Sequence, residues 1–466
     1  MKIKHKEFQD IGKHPFNRLD YKYWDTQDTI HFSNYRLLKE LFFVIHGSVQ
    51  TNKYSTDVTS VPYIRIGDID YKFGISLEGA IYLDENVIIP EEKVIQERDL
   101  ILATIGATVG KVGSGKPAMG GTHSNNTVIF RPKMETMNMA FYEKLFQTDL
   151  FINYIFGLVA QKAQPNLQPY EIDNIKIPVI SIKKAETAMG LVSDIETKIQ
   201  NLKEQIRSPR ELMDLVFSRE FHIDIVKMQE LEASKTLSVS VHSLLSGNYN
   251  LRFSSRWNKA VILQNELQMQ TKECKKLNPF ILETKNGWSP LCNEEDGDFQ
   301  VLGVDAINAD TNLSFDNPKF SSVKRNNLDE YQIKDGDFFV SRGNTVDLVS
   351  LASVAKVTGE TPYTIFPDLM IRVKFSDTID VNYLAYIFNS FIGRFYFKYA
   401  TKGKNQTMVK VTPKELGEFI FPCPGKKEQQ RIVREIREEI AKQGRMKEEI
   451  LKLRQQIDEI ILQAIK

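Results

Sequence analysis

The sequence predicts an α/β (α+β) protein of two tandem domains separated by a pair of long helices. One observation is that the chain repeats its pattern. An acidic turn leads into an apolar strand in ERDLILATIG at 97–106, and again in KDGDFFVSRGN at 334–344. Ile69 to Ile307 and Asp99 to Asp337 both span 238 residues. Pro169 to Pro413 and Pro178 to Pro422 both span 244. The other observation is heptad spacing after each copy. A chain of 466 residues exceeds one ordinary domain and suits two of roughly 200.

The elements follow in order. FSNYRLLKELFFVIHG at 32–47 has the apolar face of a short helix. From 61 to 132, β-branched runs broken by Gly and Asp predict strands. Residues 139–157 carry aromatics at helical spacing, and 381–400 match them in the second copy. Each copy then closes with a polar loop and a strand ending in Pro: QKAQPNLQPYEIDNIKIPV at 161–179 and KGKNQTMVKVTPKELGEFIFPCP at 402–424. Helices are predicted from about 183 and about 427.

In the first helix Ala188, Val192, Ile195, Ile199, Leu202 and Ile206 alternate steps of 4 and 3. That is the 3.5-residue seam of a coiled coil. Pro209 interrupts it. Met446, Ile450, Leu453, Ile457, Ile460 and Ala464 repeat the seam. The seams predict that the two helices pack on each other. Two separate amphipathic helices, each covering its own domain, are the alternative. The predicted domains are 1–180 and 226–425, with helices and linker at 181–225 and 426–466.

Composition bounds the function. Net charge is +1, which argues against coating nucleic acid by bulk attraction and leaves room for a local basic surface. No apolar run is long enough to span a membrane, and MKIKHKEFQDIGKHPF has no secretory signal pattern. Cys274, Cys292 and Cys423 show no metal or disulfide spacing. A cytoplasmic location is expected.

Tests for catalytic chemistry fail. GKVGSGKP at 110–117 mimics a phosphate loop, but Pro117 stands where Ser or Thr should bind Mg²⁺, so a glycine-rich hairpin or a surface loop near phosphates is the better reading. PDLMIRVK at 367–374 lacks the acid of a nuclease core, and the histidines are scattered. QPNLQPY at 164–170 is not the Asn/Asp-Pro-Pro-aromatic segment of an adenine methyltransferase.

What remains suits the reading of base edges. Asn and Gln pair with adenine, Arg and Lys with guanine, and Lys, Ser and Thr grip phosphates. First-copy candidates are Lys111, Thr122, His123, Ser124, Asn125, Asn126, Gln161, Lys162, Gln164, Asn166 and Gln168. Second-copy candidates are Ser341, Arg342, Asn344, Lys402, Lys404, Asn405, Gln406 and Lys410. Any one of these could be an ordinary solvated turn; the set is notable because it recurs at matching places.

IRIGDI…DLILATIGATVGKVG, QPNLQPYEIDNIKIPV, NQTMVKVTPKELGEFIFP and KKEQQRIVREI together resemble a specificity subunit of a type I restriction–modification system. The resemblance spans essentially the whole chain. It implies two target-recognition domains separated by antiparallel coiled-coil helices, each domain reading one half of a bipartite site on double-stranded DNA. It implies a non-catalytic chain that docks two adenine-N6 methyltransferase subunits, with a motor-endonuclease subunit able to join them. S-adenosylmethionine, ATP and Mg²⁺ would belong to those partners, with no cofactor or metal in this chain. The seam residues Val192, Ile195, Ile199, Leu202, Ile206, Met446, Ile450, Leu453, Ile457 and Ile460 would form the coil and subunit interface. SRGNTVDLVSLASVAKV replaces GATVGKVG in the second copy, so residue matching there stays open. A specificity subunit of a type II-like system and a self-contained methyltransferase are the alternatives.

Overall fold

The computed structural model describes residues 21–29, 32–47, 53–55, 57, 60–84, 86–159, 165–236, 254–401 and 408–466. The chain divides into two compact units, Met1–Gln205 with Met446–Lys466, and Ile206–Arg445. The division does not follow the linear copies, because the last helix contributes to both units.

In the first unit, α1 (Tyr21–Thr29) precedes β1 (Tyr35–Leu37), β2 (Phe42–His46), β3 (Val61–Ile64), β4 (Ile81–Leu83), β5 (Leu100–Ala103), β6 (Val112–Ser114), β7 (Thr122–His123) and β8 (Thr127–Pro132). Helices α2 (Met139–Phe146), α3 (Asp149–Leu158) and α4 (Pro169–Asp173) follow, then β9 (Lys176–Pro178) and α5 (Ile182–Gln205). One antiparallel sheet has the order β2-β8-β5-β6. In another, β3 pairs parallel with β7 and antiparallel with β4. β9 returns to pair with β1. Ile64, Ile69, Ile95, Ile101, Ala118 and Ile129 form a core cluster here.

The expected helix at 32–47 is mostly strand: β1 and β2 flank a single helical turn, Leu38–Leu41. Its apolar run fits helical spacing, but sheet pairing on both sides of the turn decides the conformation. The GKVGSGKP segment is the expected hairpin, β6 against β5. Its glycines serve close packing; a Cβ on Gly113 would lie 2.6 Å from the Ile75 nitrogen.

The second unit contains α6 (Pro209–Phe221), α7 (Ile225–Ala233), α8 (Ser255–Gln270), β10 (Cys274–Lys276), β11 (Ile281–Asn286), β12 (Phe299–Val301), β13 (Lys319–Ser321), β14 (Phe338–Ser341) and β15 (Ala352–Val354). It continues with β16 (Thr364–Ile365), β17 (Met370–Phe375), α9 (Val381–Asn389), α10 (Phe391–Ala400), α11 (Pro413–Gly417) and β18 (Ile420–Pro422), then enters α12 (Lys426–Ala464). Its topology repeats the first. The order β11-β17-β14-β15 matches β2-β8-β5-β6. β12 pairs parallel with β16 and antiparallel with β13, as β3 does with β7 and β4. β18 returns to β10 as β9 does to β1.

One acid is the pivot of each copy. Asp99 is fully buried; its carboxylate accepts from the Gln96 amide (2.8 Å) and from the Arg131 guanidinium (2.8 and 2.9 Å). Asp337 accepts from the Lys334 amide (2.9 Å) and from Arg372 (3.2 Å). Buried charge is tolerated only when it is paired and hydrogen-bonded, and both acids meet that condition. The arginines enter from strand positions two residues apart. Arg131 also donates to the Val94 carbonyl and Arg372 to that of Gln332, 238 residues on. Arg372, in the segment tested for a nuclease core, is therefore structural.

Pro209 does not simply end a helix. It occupies the first turn of α6, where its missing N–H costs nothing. Ser208 and Glu211 complete a reciprocal capping box (2.7 and 3.2 Å). In the second unit, α6 then runs against the first part of α12. Arg207 N–H donates to Gln443 Oε1 (3.0 Å), Arg219 pairs with Glu435, and Arg431 pairs with Glu220. Rising numbers on one helix meet falling numbers on the other, so the pair is antiparallel. Phe217, Phe221, Ile432 and Ile436 belong to one core cluster.

In the first unit, α5 pairs likewise with the last part of α12. Thr187, Ala188 and Leu191 line one groove with Ile460, Gln463 and Ala464, while Lys203 and Arg454 lie on the same Phe73 ring. Val192, Ile199, Met446, Ile450 and Ile457 are buried, whereas Ile195, Leu202 and Leu453 are half-buried. One seam position needs correction. Ile206 lies just beyond the end of α5, while Ile460 is half-buried in the groove it shares with α5, beside the fully buried Ile461.

Candidate nucleic-acid interface

The end of β5 is a junction of three loops. Thr104 N–H donates to the Asn126 carbonyl (3.0 Å), and Leu167 N–H to the Thr104 carbonyl (2.9 Å). Gly106 N–H reaches Pro165 O (2.7 Å), and Ala103 N–H reaches Lys111 O (2.9 Å). These bonds bring Lys111, Asn125, Asn126, Asn166 and Gln168 to one end of the sheet. Asn125 is exposed, and Lys111, Asn126, Asn166 and Gln168 are half-buried. Lys111 Nζ lies 5.4 Å from the centre of the Tyr71 ring. Gln168 sits at the N-cap of α4 but makes no side-chain cap bond.

The end of β14 is built the same way. Arg342 N–H donates to Leu369 O (2.7 Å), Val411 N–H to Arg342 O (2.9 Å), and Ser341 N–H to Leu351 O (2.9 Å). Gly343 and Asn344 pair with Lys410 and Val409. Arg342 and Asn344 are half-buried and Lys410 is exposed. The Arg342 guanidinium leans toward the Asp368 carbonyl at 3.4 Å, and Asn344 Oδ1 accepts from the Thr345 amide at 2.8 Å.

Bond-for-bond matching resolves the residue equivalence that the sequence left open. Gly110 N–H donates to Ala103 O, and Ser350 N–H donates to Ser341 O. Both are left-handed, Gly110 at φ 87° and Ser350 at φ 59°. Ser350 therefore holds the place of a glycine, a conformation disfavoured for a side chain with a Cβ. The same matching aligns Thr104 with Arg342, Gly106 with Asn344, Asn126 with Leu369, and Asn166 with Lys410.

Four candidates are corrected. Thr122 and His123 are fully buried, so neither side chain reaches a ligand. Thr122 Oγ1 donates to the Lys93 carbonyl (3.1 Å). His123 Nδ1 lies 3.0 Å from Thr127 Oγ1, and Nε2 has no partner. Burial pushes the His123 pKa down to about 4, so the ring is neutral at physiological pH. Their strand β7 lies inside the first unit, where polar type alone is a poor guide to exposure. Ser124 and Ser341 are also buried; Ser341 donates to Leu348 O (2.7 Å). Gln161, Lys162, Gln164, Lys402, Lys404, Asn405 and Gln406 lie outside the described residues.

The sequence missed the residues that brace these junctions. Tyr71 Oη reaches the carbonyls of Ala107 (2.8 Å) and Val109 (3.0 Å). Arg394 reaches those of Val349, Val346 and Asp347 (2.7, 3.2 and 3.1 Å). They occupy non-equivalent positions, so no repeat signal marks them.

No family model matches the sequence, and no curated protein matches it. Solved structures do. A chain from a structural study of complex assembly and conformational transition of the type I R-M system has a TM-score of 0.48 at 15% identity, over 94% of this chain and 99% of that one. The S subunit of a type I restriction–modification system from M. genitalium has a TM-score of 0.40 at 13% identity, over 93% and 96%. The HsdS subunit from Thermoanaerobacter tengcongensis has a TM-score of 0.37 at 14% identity, over 93% and 96%. All three scores fall below one half, so function is argued from the residues of this chain.

Proposed function

We propose that this chain is the DNA-specificity subunit of a restriction–modification complex, a type I system by its resemblance. Each unit reads one half of a bipartite site. One observation carries the reading: the same loop junction is built twice on the same hydrogen bonds, yet the residues at its matched positions differ. Thr104, Gly106, Asn126 and Asn166 face the roles of Arg342, Asn344, Leu369 and Lys410. A duplicated frame whose matched positions carry unlike residues, Asn166 against Lys410 and Gly106 against Asn344 among them, suits two readers of unlike base sequences.

The reading assigns direct contact to Lys111, Asn125, Asn126, Asn166, Gln168, Arg342, Asn344 and Lys410. The chain acts in the cytoplasm without catalysing a reaction. The recognition domains and the paired helices dock two adenine-N6 methyltransferase subunits, and a motor-endonuclease can join them. S-adenosylmethionine, ATP and Mg²⁺ are used by those partners.

Long-read detection of methyladenine in the host genome, with and without this gene, tests the reading. Deletion is expected to abolish methylation at one bipartite motif. Unchanged methylation at every motif would overturn it.

A further inference from the structure

The loops that leave the two junctions are held from behind by different chemistry. In the second unit, Arg394 on α10 is 7% exposed. Its Nη1 donates to Val349 O at 2.7 Å, and its Nη2 donates to Val346 O at 3.2 Å and Asp347 O at 3.1 Å. All three acceptors are main-chain carbonyls of the turn that begins at Arg342 and Asn344. A guanidinium offers five donors in a rigid plane, so it can fix several carbonyls at once. Enclosing a cation among dipoles is costly, and an aliphatic side chain would fill the space more cheaply. The first copy has Ile152 at the matching place, 242 residues earlier. Burial pushes the Arg394 pKa down to about 9, which leaves it charged at neutral pH.

In the first unit the matching turn is braced by Tyr71. Its hydroxyl lies 2.8 Å from Ala107 O and 3.0 Å from Val109 O. Its ring lies under Lys111 Nζ, which ties the brace to a candidate contact.

We propose that Arg394 and Tyr71 are positioning residues for sequence reading, each fixing the turn that presents one copy's base-contacting side chains. The inference rests on the DNA-reading function above and adds which residues set its strictness. Neither side chain touches DNA. A turn free to shift by about an ångström cannot hold Arg342 or Asn344 in register with a base edge. A good base contact discriminates against the wrong base by roughly 5- to 150-fold, so a slack turn forfeits selectivity at the one or two base pairs it serves.

The test uses the full chain, purified from its host with its bound subunits. It selects from a duplex DNA library with two random blocks separated by spacers of varied length. Arg394→Met is expected to lower base discrimination about 10-fold at positions within one half-site, leaving the other half-site and the spacer unchanged. Arg394→Lys, which keeps one cationic donor, should restore part of the strictness. Tyr71→Phe removes one hydroxyl and should relax the opposite half-site. Arg394→Met selecting both half-sites as strictly as the unaltered chain would overturn the proposal, and so would equal relaxation of both. Should Arg394→Met fail to fold, Tyr71→Phe decides: unchanged strictness overturns the proposal. If the unaltered chain selects no motif, the DNA-reading function itself fails, a result distinct from all of these.

Discussion

Replacing His123 with Phe should remove a large part of the acid sensitivity of the first unit. His123 is fully buried, and its Nε2 has no partner. Desolvation chiefly holds its pKa at about 4, against an ordinary 6.5. The folded protein therefore keeps the ring neutral while the unfolded chain takes up a proton below pH 6.5. For a base depressed in this way, stability is full above pH 6.5 and is lost as pH falls toward 4. At about 1.4 kcal/mol per pH unit, the shift amounts to roughly 3 kcal/mol. Phe is the natural probe, because Phe366 fills the matching place in the second copy and is equally buried. Amide exchange of peptides covering β3, β7 and β8 reports the opening free energy of this unit alone. Between pH 7 and 4.5 the unaltered chain should lose about 2–3 kcal/mol more than His123→Phe. Carboxylates contribute to both proteins and cancel in the difference. Equal losses in the two proteins would refute the reasoning.

Asp214 on α6 makes the opposite case. Its carboxylate accepts from Phe391 N–H (2.8 Å) at the start of α10, and burial raises its pKa to about 6 from 3.8. That stability is full below pH 3.8 and is lost as pH rises through 6, so Asp214→Asn should flatten this slope. It should stabilise the second unit by about 1–2 kcal/mol at pH 7, less than the full shift implies because the side chain keeps some contact with water; urea melts across pH 4–8 would show it. Ser350→Gly should stabilise the second unit by roughly 1 kcal/mol, since it relieves a left-handed Ser and removes a buried hydroxyl without a partner. Gly110→Ser should cost the first unit about as much, and thermal melts of both variants would check the signs.

Much of the architecture was legible because its signals are local. Asp99 and Asp337 recur at a fixed offset because each caps a turn and pairs with an arginine. The prolines of β9 and β18, and the aromatic helix pairs, recur because each closes the same sheet and core. Legibility failed where tertiary context overrides local pattern. The 32–47 run has helical spacing, but pairing with β8 and β9 makes it strand. Thr122 and His123 look like ligands by type and lie inside by position. Pro209 reads as a break, although Ser208 and Glu211 turn it into the start of α6. The junction in the second copy was obscured because Ser350 stands in for Gly110, and the buried acid's partner was obscured because Arg131 and Arg372 reach it from different strand positions. Tyr71 and Arg394 act on carbonyls, which leave no mark in the sequence.

The most direct test of two independent readers is an exchange of residues 1–180 for those of a diverged relative, followed by mapping of methyladenine in the host. A hybrid motif is expected, with one half-site replaced and the other half-site kept. A motif altered in both halves, or in neither, would contradict it.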